Sequence, residues 1–275
     1  MERSLGLMCG AGPQPARMAD DARRRGWRVL AFTFDEGSTV AGHADLVVPA
    51  GIAELGAVLG RLEGEGIADV LFSGRFSMPA VLRVGPAADA LFRGFEAQAG
   101  SRSGGPLVTA IITTLAARGV AVLDQRDFVG DWLVGAGSWA RRPPTETEWA
   151  EARAGLSLAR TIAAARIGQT VVMRHGAVVA VEAVEGTTEA VRRGADLAGA
   201  GALVVKAVAP DHDYRFDAPA VGPETVAAAA AGGVAVIALE AGRVLLLERT
   251  ESLSIADGAG IAVIGLEGSR DRERA

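Results

Sequence analysis

Short apolar runs alternate with amphipathic stretches along this chain, and that alternation restricts the fold more than any other feature of the sequence. Residues 4–9, 27–34, 46–49 and 69–73 read as strands. Residues 16–25 and 52–62, lying between them, have the apolar spacing of helices. Strands joined by helical crossovers pair in parallel, with helices packed on the sheet. Residues 107–117 then read as a helix, 120–123 as a strand and 127–134 as a helix. The first half is therefore expected to be a Rossmann-like parallel sheet with flanking helices.

The second half restarts the pattern differently. Thr145 followed by Glu148 is the signature of a capping box, which opens a helix over residues 147–166. Residues 168–184 alternate apolar and polar positions around His175-Gly176 and read as a β-hairpin. A helix opens after Glu185-Gly186-Thr187 and runs to about residue 194. Residues 202–205, 234–239, 244–247 and 261–266 read as strands, and 225–231 as a helix, with another ending at residues 254–257. A hairpin among strand–helix units predicts a mixed sheet. The expected layout is α/β in two domains: 1–138, a linker at 139–146 carrying Arg141, Arg142, Pro143 and Pro144, a second domain at 147–268 and a mobile tail at 269–275.

The chain's 275 residues suit one large domain or two of ordinary size, and 49% apolar residues supply a sizeable core. A formal charge of −5, with no basic stripe interleaved with aromatics, argues against nucleic acid as a partner. The single cysteine, Cys9, rules out an internal disulfide framework and a cysteine zinc site, and fits a reducing cytoplasm. No basic segment followed by an apolar one opens the sequence, and no apolar run is long enough for a bilayer, so a cytoplasmic location is expected.

Chemistry-bearing residues concentrate between residues 206 and 225. Lys206 ends an apolar strand. Asp211, His212, Asp213, Tyr214, Arg215 and Asp217 follow it, with Pro219, Gly222 and Pro223 fixing the path into a helix at Glu224 and Thr225. A loop leaving the carboxyl end of a strand is where open α/β sheets place ligands. Lys206 and Arg215 suit an anion such as a phosphate. Asp211, Asp213 and Asp217 suit a hard divalent cation or proton transfer. In the first half, the loop carrying Gly10 and Gly12 between a strand and a helix is suited to cradle a phosphate on backbone N–H groups. It lacks the third glycine of the dinucleotide fingerprint, and Pro13 and Pro15 interrupt it. Asp35 follows the second strand as a ribose-binding acid would. Arg75 reads either as a phosphate contact or as a surface arginine in a turn. His43, His175 and His212 are too scattered for a histidine metal site. Of Glu182 and Glu185, which flank Val184 at a strand end, at most one is expected to lack a partner.

These residues together resemble the UDP-2,3-diacylglucosamine pyrophosphatases of the LpxI type. The likeness rests on Ile167-Gly168-Gln169, Ala180-Val181-Glu182-Ala183, Glu185-Gly186-Thr187, Val205-Lys206, the spacing Asp213-x-Arg215-x-Asp217-x-Pro219 through Gly222-Pro223-x-Thr225, and Ala256-Asp257. Leu5-Gly6-Leu7, Gly10, Gly12, Trp27 and Gly74-Arg75 extend it into the first half. The resemblance implies hydrolysis of a nucleotide-diphospho-lipid, UDP-2,3-diacylglucosamine, to 2,3-diacylglucosamine 1-phosphate and UMP in lipid A biosynthesis. It implies Mg2+ or Mn2+ held by Asp217 and Asp213, a homodimer, and peripheral contact with the inner membrane. Asp217, Asp213 and Glu185 become the catalytic acids. Lys206, Arg215, Thr187, Gln169, Gly10, Gly12, Arg75 and Thr225 become substrate contacts.

The chain departs from the family pattern at four places. A Gly-Asp-Asp motif is replaced by Gly104-Gly105-Pro106, and acids give way to Arg166 and Thr188, and a lysine to Ala209. Each departure removes charge suited to metal or phosphate. The alternative expectation is a family member that binds a nucleotide or phospholipid without turnover, or acts on another substrate.

Overall fold

The structure is a computed structural model describing residues 3–102 and 104–268; the tail expected at 269–275 lies outside the described residues. The chain divides into two compact units. The first comprises the residues up to Gly130 together with Asp213–Ala218, and the second comprises Asp131–His212 and the residues from Pro219 onward. The six residues Asp213–Ala218 thus belong to the first unit although they lie in the second half of the sequence.

The first unit runs β1 (Arg3–Cys9), α1 (Gln14–Arg24), β2 (Trp27–Thr33), β3 (Leu46–Pro49), α2 (Leu55–Gly64), β4 (Asp69–Ser73), α3 (Met78–Leu82), α4 (Ala90–Ala99), α5 (Gly104–Ala117) and β5 (Ala121–Val122). Its sheet is parallel throughout, in the order β3-β2-β1-β4-β5. β1 is the central strand, and its Leu5 and Leu7 are fully buried. That is why its sequence reads as a continuous apolar run rather than an alternation. Met8, Leu30, Phe32, Val70 and Phe72 meet Leu59 and Leu62 of α2 on one face, and Phe216 packs against that cluster. Over residues 78–99, where no element is read from the sequence, α3 and α4 form. Ser77 caps the first by accepting from the Ala80 N–H at 3.2 Å, and Asp89 caps the second by accepting from the Phe92 N–H at 2.8 Å. The helix expected at 127–134 is instead two short 3-10 turns, Gln125–Phe128 and Gly130–Trp132. Gly130, at φ +59, breaks what the apolar spacing suggested.

The second unit runs β6 (Gly137–Ser138), α6 (Glu146–Ala164), β7 (Thr170–Arg174), β8 (Ala177–Val181), α7 (Thr187–Ala198), β9 (Leu203–Lys206), β10 (Ala220–Val221), α8 (Pro223–Ala231), β11 (Val236–Glu240), β12 (Leu245–Leu246), α9 (Arg249–Gly258) and β13 (Ala262–Leu266). The sheet order is β6-β13-β11-β9-β7-β8, with β13, β11 and β9 parallel and the remaining strands antiparallel to their neighbours. β10 and β12 form a separate parallel pair. The hairpin expected around His175 and Gly176 is β7–β8, and both turn residues have positive φ. The period of two sorts the sheet's two faces. Val171, Met173 and Val205 pack on Ala152, Leu156 and Ala159 of α6. Val172, Val204 and Ile237 pack on Val191 and Ala195 of α7, Val226 of α8 and Ala256 of α9. The capping box at the start of α6 is formed: the Glu148 N–H donates to Thr145 Oγ1 at 3.2 Å, and the Thr145 N–H to Glu148 Oε2 at 2.8 Å. Residues 139–146 are tied within this unit, with the Trp139 N–H on the Val263 carbonyl at 2.8 Å, the Arg141 N–H on Asp257 at 2.7 Å and Arg142 paired with Glu148 at 2.9 Å.

α7 lies close on the sheet because Gly194 has no side chain; a Cβ there would stand 2.6 Å from Cβ of Val172. Gly194→Ala gains up to about 1 kcal/mol in helix propensity. It forces α7 off Val172, which costs about 1–3 kcal/mol. A net fall in the urea midpoint is therefore expected; a rise would show that α7 can shift without loss.

Candidate functional site

In the first unit, the strand order reverses at β1 and β4, the usual place for a ligand crevice in an open parallel sheet. Here the two loops leaving those strands are sewn together. The Gly10 N–H donates to the Ser73 carbonyl at 2.8 Å, the Ala11 N–H to the Arg75 carbonyl at 3.0 Å, and the Arg75 N–H back to the Ala11 carbonyl at 2.8 Å. The Gly12 N–H donates to the Gly37 carbonyl at 3.2 Å. Glycine is required at position 10 because a Cβ would run into the Arg75 backbone carbonyl. The amides that suggested a phosphate cradle are thus spent on loop-to-loop bonds, and a phosphate held by them would have to displace those carbonyls. Asp35, the candidate ribose acid, accepts from the Gly37 N–H at 2.8 Å and shapes a turn. Cys9 is fully buried, which pushes its thiol pKa far up, so it offers no thiolate.

The loop Asp213–Ala218 brings three of the expected residues to this unit. Tyr214 and Ala218 are buried, whereas Arg215 and Asp217 are exposed. Phe216 seats the loop: its ring lies 4.8 Å from Phe72 and 6.0 Å from Phe76 between centroids. The Tyr214 carbonyl accepts from the Gln125 N–H at 3.0 Å. Asp213 takes Arg215 side-on, with Nε to Oδ1 at 3.0 Å and Nη2 to Oδ2 at 2.7 Å, and also accepts the Arg215 backbone N–H at 3.0 Å. Asp213 hydrogen-bonding and charge raise the Arg215 pKa further above its ordinary value. Asp217 follows this pair on the exposed side of the loop.

In the second unit, Lys206 closes β9 opposite Thr170, the first residue of β7. Its ammonium is almost wholly buried and donates to Thr187 Oγ1 at 2.8 Å, Thr170 Oγ1 at 3.3 Å and Glu182 Oε2 at 3.4 Å. Glu182 also accepts from Thr187 Oγ1 at 2.8 Å and from the Gln169 N–H at 3.3 Å. Burial alone would push the Glu182 pKa up, but the Lys206 charge and the hydrogen bonds from Thr170, Thr187 and Gln169 outweigh it and hold the carboxyl below its ordinary value. All three ammonium protons of Lys206 have partners, so a phosphate would have to replace one of them. Glu185 accepts from the Ala183 N–H at 3.1 Å and from Arg193 at 2.7 Å. Both glutamates therefore have partners, as the sequence required of at least one.

The helices α7 and α8 start side by side in this unit. Thr188 Oγ1 and Thr225 Oγ1, in their first turns, lie 2.8 Å apart and both are buried. Gly186 and Gly222 cap the two helices without a side-chain acceptor. Two helix N-termini left without capping side chains present backbone N–H groups of the kind that favour an anion.

Residues 135–264 match the model of the LpxI C-terminal domain, and residues 4–132 match that of the LpxI N-terminal domain. The UDP-2,3-diacylglucosamine pyrophosphatase LpxI of Caulobacter vibrioides is 30% identical over 276 residues, covering 96% of this chain and 98% of that protein. The chain belongs to the LpxI family. The structure shows what stands where the LpxI pattern led us to expect other charges. Thr188 joins the two helix starts, and Arg166 pairs with Asp211 at 2.7 Å. Ala209 offers its carbonyl to Arg243, and Gly104 opens α5.

The expected metal ligands do not fit a resident ion. Both carboxylate oxygens of Asp213 face Arg215, and among the described residues no three His, Cys, Asp or Glu side chains are grouped to hold a metal.

Glu182, read from the sequence only as an acid at a strand end, is the buried counter-ion of Lys206. Two further residues were not singled out by the sequence. Glu240, fully buried at the end of β11, accepts from Arg160 at 2.6 Å and from the Val208 N–H at 2.9 Å. Arg126 belongs to Asp124-Gln125-Arg126, which repeats the spacing of Asp213-Tyr214-Arg215.

Proposed function

We propose that this protein hydrolyses UDP-2,3-diacylglucosamine to 2,3-diacylglucosamine 1-phosphate and UMP, a step of lipid A biosynthesis. The observation that carries the proposal is the family match through both halves of the chain, with a relative named as a UDP-2,3-diacylglucosamine pyrophosphatase aligned over 96% of it. The Asp213–Ala218 loop supports it chemically. Arg215, held in one orientation by Asp213, suits the charge that grows on phosphate oxygens during attack. In this proposal water attacks the α-phosphorus, its oxygen enters UMP, and the bridging P–O bond breaks with the lipid phosphate leaving. Asp217 takes the water proton.

Magnesium or manganese, in the same proposal, enters with the diphosphate. Mg2+ is commonly held by one or two carboxylates, substrate phosphates and its own waters. A lipid substrate also brings the protein to the inner-membrane surface from the cytoplasmic side. Among the described residues no helix is long and apolar enough to cross a bilayer.

The test is incubation of the purified protein with UDP-2,3-diacylglucosamine in mixed micelles and 18O-water, followed by mass spectrometry of both products. Label in UMP is expected. Label in the lipid phosphate would overturn attack at the α-phosphorus. Binding of intact substrate with no product, with magnesium and manganese supplied, would replace hydrolysis by the second reading, a nucleotide- or phospholipid-binding protein. That reading is favoured by the structural partners of Thr188 and Arg166, where the LpxI pattern expects acids.

A further inference from the structure

Of the three Asp-x-Arg spacings in the first unit, at residues 21–23, 124–126 and 213–215, the last two share one geometry. In Asp124-Gln125-Arg126 the aspartate accepts the Arg126 backbone N–H at 2.8 Å, Nε at 3.0 Å on Oδ1, and Nη2 at 2.6 Å on Oδ2. In Asp213-Tyr214-Arg215 the corresponding distances are 3.0, 3.0 and 2.7 Å. The two are joined through their middle residues, both buried, by the Gln125 N–H on the Tyr214 carbonyl at 3.0 Å. The Arg126 guanidinium also lies over the Tyr214 ring, 4.2 Å from its centre.

This arrangement orients the guanidinium groups without using them up. A side-on pair engages Nε and Nη2 and leaves Nη1 to face outward. Among the described residues, neither Arg126 Nη1 nor Arg215 Nη1 has a hydrogen-bond partner. Both arginine side chains are about half exposed, at 47%. The two aspartates sense each other's charge, and Asp124 also acts on Arg215, so the four groups form one electrostatic cluster. Burial pushes the Asp124 pKa up, but Arg126 outweighs this and holds the carboxyl ionised below its ordinary range. Each arginine thus keeps its own permanent brace.

We propose that Arg126 is a second anion-binding arginine of this protein, paired with Arg215 through the Gln125–Tyr214 bond to receive a diphosphate group. Rigid arginines presenting free Nη1 groups match phosphate oxygens better than flexible side chains, because less rotamer freedom is lost on binding. The proposal rests on the hydrolase reading for the identity of the diphosphate, that of a nucleotide-linked lipid, and adds a residue to it.

The test compares Arg126→Gln and Arg126→Lys with the unmodified chain in two measurements, calorimetric affinity for UDP and steady-state hydrolysis of UDP-2,3-diacylglucosamine. Loss of a charge-assisted hydrogen bond predicts UDP binding weakened about tenfold to a hundredfold in Arg126→Gln. KM is expected to rise by a similar factor, with kcat changed less. Arg126→Lys keeps the charge but loses the side-on brace, and is expected to recover only part of the affinity. Circular dichroism melting should change little, since both residues of the pair are at the surface. Affinity and KM within twofold of the unmodified values in both variants would overturn the proposal while leaving hydrolysis intact. Weakened UDP binding in a protein that shows no hydrolysis at all would uphold Arg126 and overturn the hydrolase reading instead.

Discussion

Lys206→Met is expected to destabilise the second unit by about 3–5 kcal/mol, the scale seen when one partner of a buried ion pair is removed. The methionine fits the space of the lysine stem. It leaves the Glu182 carboxylate, which is also buried, without the charge that offsets its desolvation. Thr170 and Thr187 lose the same partner. Changing both members, as Lys206→Met with Glu182→Met, is expected to recover most of the loss, because an apolar pair of similar volume removes the unpaired charge. Urea denaturation of the single and double variants measures both. A single variant within about 0.5 kcal/mol of the unmodified chain, the range of ordinary surface changes, would show that water reaches this site.

The same pair fixes a pH dependence whose sign can be worked out. The Glu182 carboxyl is held below its ordinary value in the folded chain. Above the unfolded glutamate value of about 4.3, the carboxylate is ionised in both states and its contribution to stability is fully present. As pH falls below about 4.3, the unfolded chain takes up the proton first, so stability drops until the folded carboxyl also protonates. Denaturation curves between about pH 6 and 3 should show this fall, and Glu182→Gln should flatten the part of it due to this residue. An unchanged slope in Glu182→Gln would assign the acid sensitivity to other carboxylates.

Much of the fold was legible because buried parallel strands write themselves as apolar runs. Residues 69–73 and 203–206 illustrate this, and the capping box at Thr145 and Glu148 fixed the start of α6 from residue types alone. The helices α3 and α4 were not legible. They are short, Pro79 and Gly94 dilute their helical signal, and their starts depend on Ser77 and Asp89, residues equally at home in turns. The candidate site was legible as chemistry but not as geometry. The sequence marks Lys206 as a cation after a strand, but only packing shows that it faces Glu182 and two threonines. It marks Gly10 as part of a phosphate-cradling loop, whereas the structure uses the absent Cβ to admit the Arg75 carbonyl. Nor could spacing along the chain show that Asp213–Ala218 would pack in the first unit, since that depends on Phe216 finding Phe72 and Phe76.

Asp217→Asn is expected to lower kcat for UDP-2,3-diacylglucosamine hydrolysis by about a hundredfold or more, the scale of lost general acid–base catalysis. Asp217 is exposed, between Phe216, which is anchored among aromatic rings, and the buried Ala218 and Pro219. Its neighbours therefore fix the backbone, and the side chain is not needed to fill space. Asparagine keeps the shape and can still accept a hydrogen bond, but it cannot hold a transferred proton. The melting temperature should stay within the shift of a surface substitution, about 0.5 kcal/mol in stability. KM should move little, because the proposed anion contacts come from Arg215 and Arg126. Phe216→Ala supplies the contrast: it loosens the seat of the loop, so activity and melting temperature should fall together. If Asp217→Asn turns over normally while its melting temperature drops, the carboxylate serves the turn and the proton goes elsewhere. If it binds substrate intact at near-normal affinity and turnover is lost, Asp217 acts in the chemical step rather than in building the site.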